Sequence, residues 1–271
     1  MKKILLSAAL LTLLLGIVFF ASTPEQTPPP AVAPTLPEPS SPEPPVKYPI
    51  AETTPMIEPP PVTPSEPAPP APVPADMATA ETVANQLLSL LDGRKPLTDL
   101  VQVDHFIQRF VVTVDNLPRN DLPHRQLPIK GASGPFLVQG EKDREVISPY
   151  NSRRYAPFVE MIEALDSRRL VDIYVRHYSL FQKAYTDLGY PSAYFNDRLV
   201  EVIDHLLETP EIVEPVRLER PGVLYRFADP DFENRSAGQK ILLRIGNDNA
   251  RKIKAKLGEL RAELIARTLK Q

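Results

Sequence analysis

Twenty-one of the 33 prolines in this chain fall between residues 23 and 75, a stretch with no glycine, six glutamates and Lys47 as its one base. Proline fixes φ and removes an amide donor, so a run this dense forms neither helix nor sheet and populates extended polyproline conformations. The composition predicts a disordered, acidic, semi-rigid spacer over residues 23–75. At about 3.1 Å per residue it reaches roughly 160 Å when extended. A ligand for a proline-recognising module is the alternative reading. Only the chain beyond residue 75 is left to build a core.

Ahead of the spacer, Lys2 and Lys3 precede an uncharged run from Ile4 to Ala21. Eighteen helical residues span about 27 Å, close to the hydrocarbon thickness of a bilayer. Residues 1–22 therefore read as an N-terminal membrane anchor or signal segment, with residues 4–21 meeting the membrane. Phe19 stands where a cleavage site prefers a small residue, which favours an anchor over a cleaved leader. The two lysines orient the segment with its positive end in the cytoplasm. The expected location is the inner membrane, single-pass, with the C-terminal domain in the periplasm. The absence of cysteine from the whole sequence excludes a lipoprotein anchor, a disulfide framework and a thiolate nucleophile.

Residues 76–271 carry the expected domain, and their pattern is helical. Val83, Leu87, Leu88, Leu90 and Leu91 recur before Asp92-Gly93. Asp104 suits the N-cap of a second helix, with Phe106, Ile107, Phe110, Val111, Val114 and Leu117 on one face. The proline- and glycine-punctuated residues 118–150 hold one hairpin, FLVQ against REVIS. Helices are expected over 155–166, 167–188 and 192–208, followed by a second small hairpin turning at Pro221-Gly222. Asp229-Pro230 reads as a helix start, SAGQ at 236–239 as a capping box, and 248–268 as a last helix with Ile253, Leu257, Leu260 and Leu264 as its seam. The fold class is all-α, one mostly helical domain with minor β hairpins.

The most crowded polar segment is FNDRLVEVIDHLLE at 195–208. At 100° per residue, Phe195, Leu199, Val202, Ile203, Leu206 and Leu207 share an apolar arc. Asp197, Arg198, Glu201, Asp204, His205 and Glu208 occupy the opposite arc, expected to face water, with Arg198 and His205 each within helical reach of Glu201. Asn196 falls among the apolar positions, as does His177 on the preceding helix. Both are expected to be held by hydrogen bonds to loop backbone or to tyrosine, because an unpartnered buried amide costs about 1–3 kcal/mol. His177, Asn196, Asp197 and Arg198 are thus the candidate binding residues or structural polar network. No catalytic, metal or cofactor site is assigned, since the Walker, dinucleotide, zincin and nucleophile-elbow motifs are missing.

Tyrosines 174, 178, 185, 190 and 194 offer a stacking platform for sugars as an alternative to core packing. LLRIGNDNARKIKAKL at 242–257 is like half of a helix–hairpin–helix, but Arg244 replaces its first glycine and residues 76–271 are neutral overall, so nucleic acid is not the expected partner. Residues 235–271 carry a net +7. This basic end is expected to dock on the acidic body of its own domain or on an anionic partner.

FIQRFVVTVDNLPR at 106–119, YAPFVEMIEALD at 155–166, LFQKAYTDLGYPSAYFNDRLVEVIDHLLETP at 180–210 and FADPDFENRSAGQKILLRIGNDNARKIKAKL at 227–257 resemble the bacterial domain-of-unknown-function family 3014. The resemblance extends over about residues 80–268, with Gln108 where a second arginine is expected. It implies a membrane-anchored envelope protein behind a disordered spacer, and no assigned activity. The expected role is a non-catalytic domain for contact with an envelope protein or the cell wall. The alternative is a peptidoglycan-acting enzyme or glycan-binding module with its cleft near Tyr190–Arg198.

Overall fold

The computed structural model describes residues 46–50, 75–91 and 100–268. The expected membrane segment and most of the spacer lie outside the described residues. Among the described residues, no helix is long and apolar enough to cross a membrane.

The architecture is all-α with two small antiparallel hairpins. Helix α1 (Ala75–Ser89) is followed by α2 (Phe106–Asn116), α3 (Ala156–Glu163), α4 (Ser167–Arg176), α5 (Tyr178–Asp187) and α6 (Phe195–Leu207). The one-turn helix α7 (Pro230–Glu233), then α8 (Ala237–Arg244) and α9 (Asn247–Ala266), complete it. The first hairpin pairs β1 (Val138–Gln139) with β2 (Val146–Ile147), Val138 opposite Ile147. In the second, β3 (Leu218–Glu219) meets β4 (Arg226–Phe227), Leu218 opposite Phe227. Ile147 N–H donates to Val216 O at 3.0 Å and Leu218 N–H to Glu145 O at 2.8 Å, joining the hairpins into one patch.

Phenylalanines organise the helical core. Phe110 meets Phe181 and Phe195 edge-on at 5.6 and 5.9 Å, and Phe106 stacks beside it. Each such side chain contributes about 1.5–3 kcal/mol on burial. Helix α2 packs on α5 and α6, and α9 lies along α3, α4 and α6. The expected seam of α9, Ile253, Leu257, Leu260 and Leu264, is buried throughout. A smaller cluster of Ile212, Val216, Leu218, Phe227 and Leu243 fills the space beneath the hairpins.

Several local expectations shift. The residue ahead of α2 is His105, at φ 53°, with no side-chain cap, in place of Asp104. The helix expected over 167–188 divides at His177, where φ −112° and ψ 20° separate α4 from α5. Neither proline nor glycine marks this break. Tyr174 packs across it against Tyr178 at 5.8 Å and Phe181 at 5.1 Å. Ser236 accepts the Gln239 N–H as expected, but the Gln239 side chain donates to His205 O at 2.9 Å and leaves the capping box half-made. Gly246, at φ 88°, adopts the left-handed turn that lets α9 start directly after α8.

The basic end docks on its own domain, as charge predicted. Arg251 pairs with Glu211, Lys252 with Glu163, Arg261 with Asp204 and Arg267 with Asp172.

Candidate functional site

Three of the four sequence-selected polar residues, Asn196, Asp197 and Arg198, gather at the N-terminus of α6, and two of them meet a partner from the spacer. Tyr194 supplies no side-chain cap to this helix. Gln182 of α5 does that work from a distance: its Oε1 accepts the Phe195 N–H at 2.8 Å, while its Nε2 donates to Ala193 O at 2.8 Å. The α5–α6 turn is thereby fixed, and the next two residues are presented in a defined direction.

Asn196 is fully buried. Its Oδ1 accepts from Tyr174 Oη at 3.2 Å and its Nδ2 donates to Tyr48 O at 2.9 Å. Tyrosine and loop backbone, the two expected kinds of partner, each take one end of the amide. Asp197 sits half-buried in the first helical turn, where the positive end of the helix favours its charge. Its carboxylate accepts from Lys47 N at 2.9 Å and from Tyr48 N at 2.7 Å. Such charge-assisted bonds are about twice as strong as neutral ones.

Residues 46–50 are thus seated on the domain, and the spacer is not an unbroken rod. Three backbone groups are held by two side chains, Ile50 is buried in the main core and Tyr48 packs against it. Lys47 Nζ lies 3.6 Å from Glu201, an exposed pair that contributes little. Composition alone hid this segment, because one aliphatic and one aromatic residue barely register among 21 prolines.

Arg198 turns to the other side of α6. Its Nε donates to Asp115 Oδ1 at 3.2 Å and its Nη2 to Asp115 O at 2.9 Å. The buried Asp115 carboxylate also accepts from Arg119 at 2.6 Å and from Tyr190 Oη at 3.2 Å. Asp115 lies near the C-terminal end of α2, which closes at Asn116. Its position four residues after Val111, on the same stripe, was the available signal. Burial, followed by the Asp115 charge, pushes the neighbouring Tyr185 hydroxyl up to about 12. Tyr174 is raised as well, first by burial, so both phenols stay protonated.

The polar face of α6 is therefore only partly solvated, and the expected Arg198–Glu201 pair forms on it at 3.8 Å. Asp197 holds backbone, Arg198 holds Asp115, Asp204 holds Arg261, and His205 lies 2.8 Å from Ser236 Oγ, away from Glu201. Glu201 and Glu208 remain exposed. A helical wheel assigns polar positions to water by default; here neighbouring elements cover them and supply counter-groups.

His177 stands apart from this group. Its Nε2 lies 3.1 Å from Gln86 Oε1 on α1, a partner of neither expected kind. Burial first, then Arg176, lowers its pKa and keeps the ring neutral. Asn196, Asp197 and Arg198 thus form one site and His177 another. No group of three or more potential metal-ligating residues occurs among the described residues. What the α6 site does chemically is hold a bent peptide segment by its backbone.

Residues 106–261 match the model of a family described as "Protein of unknown function (DUF3014)", a span of more than half the chain that contains Asp115 and the whole of α6. Neither the curated proteins nor the solved structures include a match. With four long sequence motifs in order and a family match across the helical domain, the chain belongs to the DUF3014 family.

Proposed function

We propose that this protein is a single-pass inner-membrane protein of the bacterial envelope whose periplasmic helical domain makes protein–protein contacts by seating peptide segments, held by their backbone, at the N-terminus of α6. One observation carries the reading: Asn196 and Asp197 engage the backbone of Lys47 and Tyr48, while side-chain burial falls mainly to Ile50. Backbone capture supplies affinity with modest sequence demand. The charge and apolar run of residues 1–22 support the anchor. Seating residue 46 on the domain also bounds its distance from the membrane segment, since the 24 residues from 22 to 45 span roughly 75 Å in polyproline form.

The test is a photocrosslinker placed at the exposed Tyr194, two residues before Asn196, in the full chain in cells. The expected adduct is an envelope protein, in higher yield when Tyr48, Pro49 and Ile50 are replaced by Gly-Ser-Gly and the seat is vacated. Recovery of glycan strands, or a yield indifferent to the seat, would overturn the reading. Carbonate washing should leave the chain with the membrane fraction.

A further inference from the structure

Arg244, the last residue of α8, projects where the hairpin patch meets the helical core. It borders a cavity of about 830 Å³ on one side and one of about 260 Å³ on the other. Its guanidinium lies over the Phe227 ring at 5.0 Å. Among the described residues, no carboxylate comes within ion-pair distance of it and its side chain makes no hydrogen bond. The ring contact and the carbonyl end of α8 stabilise its charge, but neither accepts its N–H protons. Burial lowers its pKa, while the residue as a whole is half-buried and lines both cavities. A guanidinium with no carboxylate beside it can take an anionic ligand.

The groups that feel this charge, His124, Tyr155 and Glu233, all line the smaller cavity. The other charges there are largely engaged. Arg154 donates to Ser133 O, Gly134 O and Asn151, and Lys240 lies against Glu233, whose other oxygen accepts the Phe227 N–H. The exposed Arg226 stands at the rim. Against these four cations the lining offers two acids, Asp121 and Glu233. His124 Nδ1 is buried with no hydrogen-bond partner. A guanidinium without an ion-pair partner and a histidine ring thus line one small polar cavity.

We propose that this cavity is a binding site for a compact oxyanion, a carboxylate or phosphate group, gripped by the Arg244 fork and hydrogen-bonded by His124. A guanidinium matches the two-oxygen edge of either group. A volume of about 260 Å³ lies just below the range of drug-sized ligand pockets, which fits a small acid or one terminal group of a larger molecule. The site is separate from the peptide seat on α6 and stands whether or not that seat binds a partner.

The test uses the full chain, titrated with inorganic phosphate and, separately, with succinate at constant ionic strength, reading the His124 imidazole by NMR and heat by calorimetry. The expected result is saturable binding of at least one probe that moves the His124 signal. Binding should weaken at least about tenfold in Arg244→Met, the loss of one charge-assisted contact. Response to phosphate alone assigns a phosphate ligand, and response to succinate alone a carboxylate. Should Arg244→Met fail to fold, His124→Phe in the wild-type background must weaken the calorimetric affinity. Absence of saturable binding by either probe, or affinity unchanged in the variant that folds, overturns the proposal.

Discussion

Asn196 illustrates how one side chain ties three parts of the chain together. It sits on α6, accepts from Tyr174 on α4 and donates to the spacer at Tyr48. Leucine at this position fills similar space but removes both bonds, stranding a buried phenol and a carbonyl. Asn196→Leu is expected to cost about 1–3 kcal/mol, several degrees of melting temperature by calorimetry. It should also weaken the seating of Tyr48, whose carbonyl loses its donor while Asp197 still holds the Lys47 and Tyr48 N–H groups. An unchanged melting temperature would show that the amide is not a lock. Asp115 belongs to the same class of residue: a buried carboxylate between Arg119 and Arg198, stable because both arginines and Tyr190 share it.

Helices are where two glycines part company. Gly238 lies in the first turn of α8, where an added Cβ would stand 2.6 Å from Leu206 Cδ2 and 3.2 Å from Leu117 O. The Gly238 N–H also donates to that carbonyl at 2.9 Å, so the backbone of α8 is pinned against the end of α2. Alanine's better helix propensity, worth about 1 kcal/mol, loses here to overpacking of about 1–3 kcal/mol. Gly258, in the middle of α9, meets nothing within 4 Å. The same substitution there gains propensity without a clash. Chemical denaturation should therefore show Gly238→Ala destabilised and Gly258→Ala stabilised by about 0.5–1 kcal/mol; the same sign for both would refute this assignment of close packing.

At the level of the whole molecule, two partly buried histidines tie stability to pH. Burial lowers the pKa of both His124 and His177 from the ordinary 6.5, with Arg176 adding to the effect at His177. A lowered folded-state value means that the unfolded chain binds more protons as pH drops through 6.5. Stability is then fully present above about pH 6.5 and falls as pH moves down toward the folded values. Thermal melts from pH 7.5 to 5 should show a declining midpoint, with a shallower slope in a His177→Gln variant. A flat profile over that range would mean that neither ring is held neutral. An oxyanion bound beside His124 would lessen the decline.

Much of this was readable from the residues in order. Periodicity predicted the all-α class, both hairpins and the seam of α9, because each is set by neighbours three or four apart or by a local turn. Charge left the basic end either docked on its own body or on an anionic partner, and the structure shows the first. The break at His177, the pairing of Asp115 with Arg198, the capture of residues 46–50 and the isolation of Arg244 were beyond its reach. The pairing and the capture join groups 83 to 150 positions apart, where a polar atom's energy is decided by the partner that reaches it and not by the company it keeps along the chain.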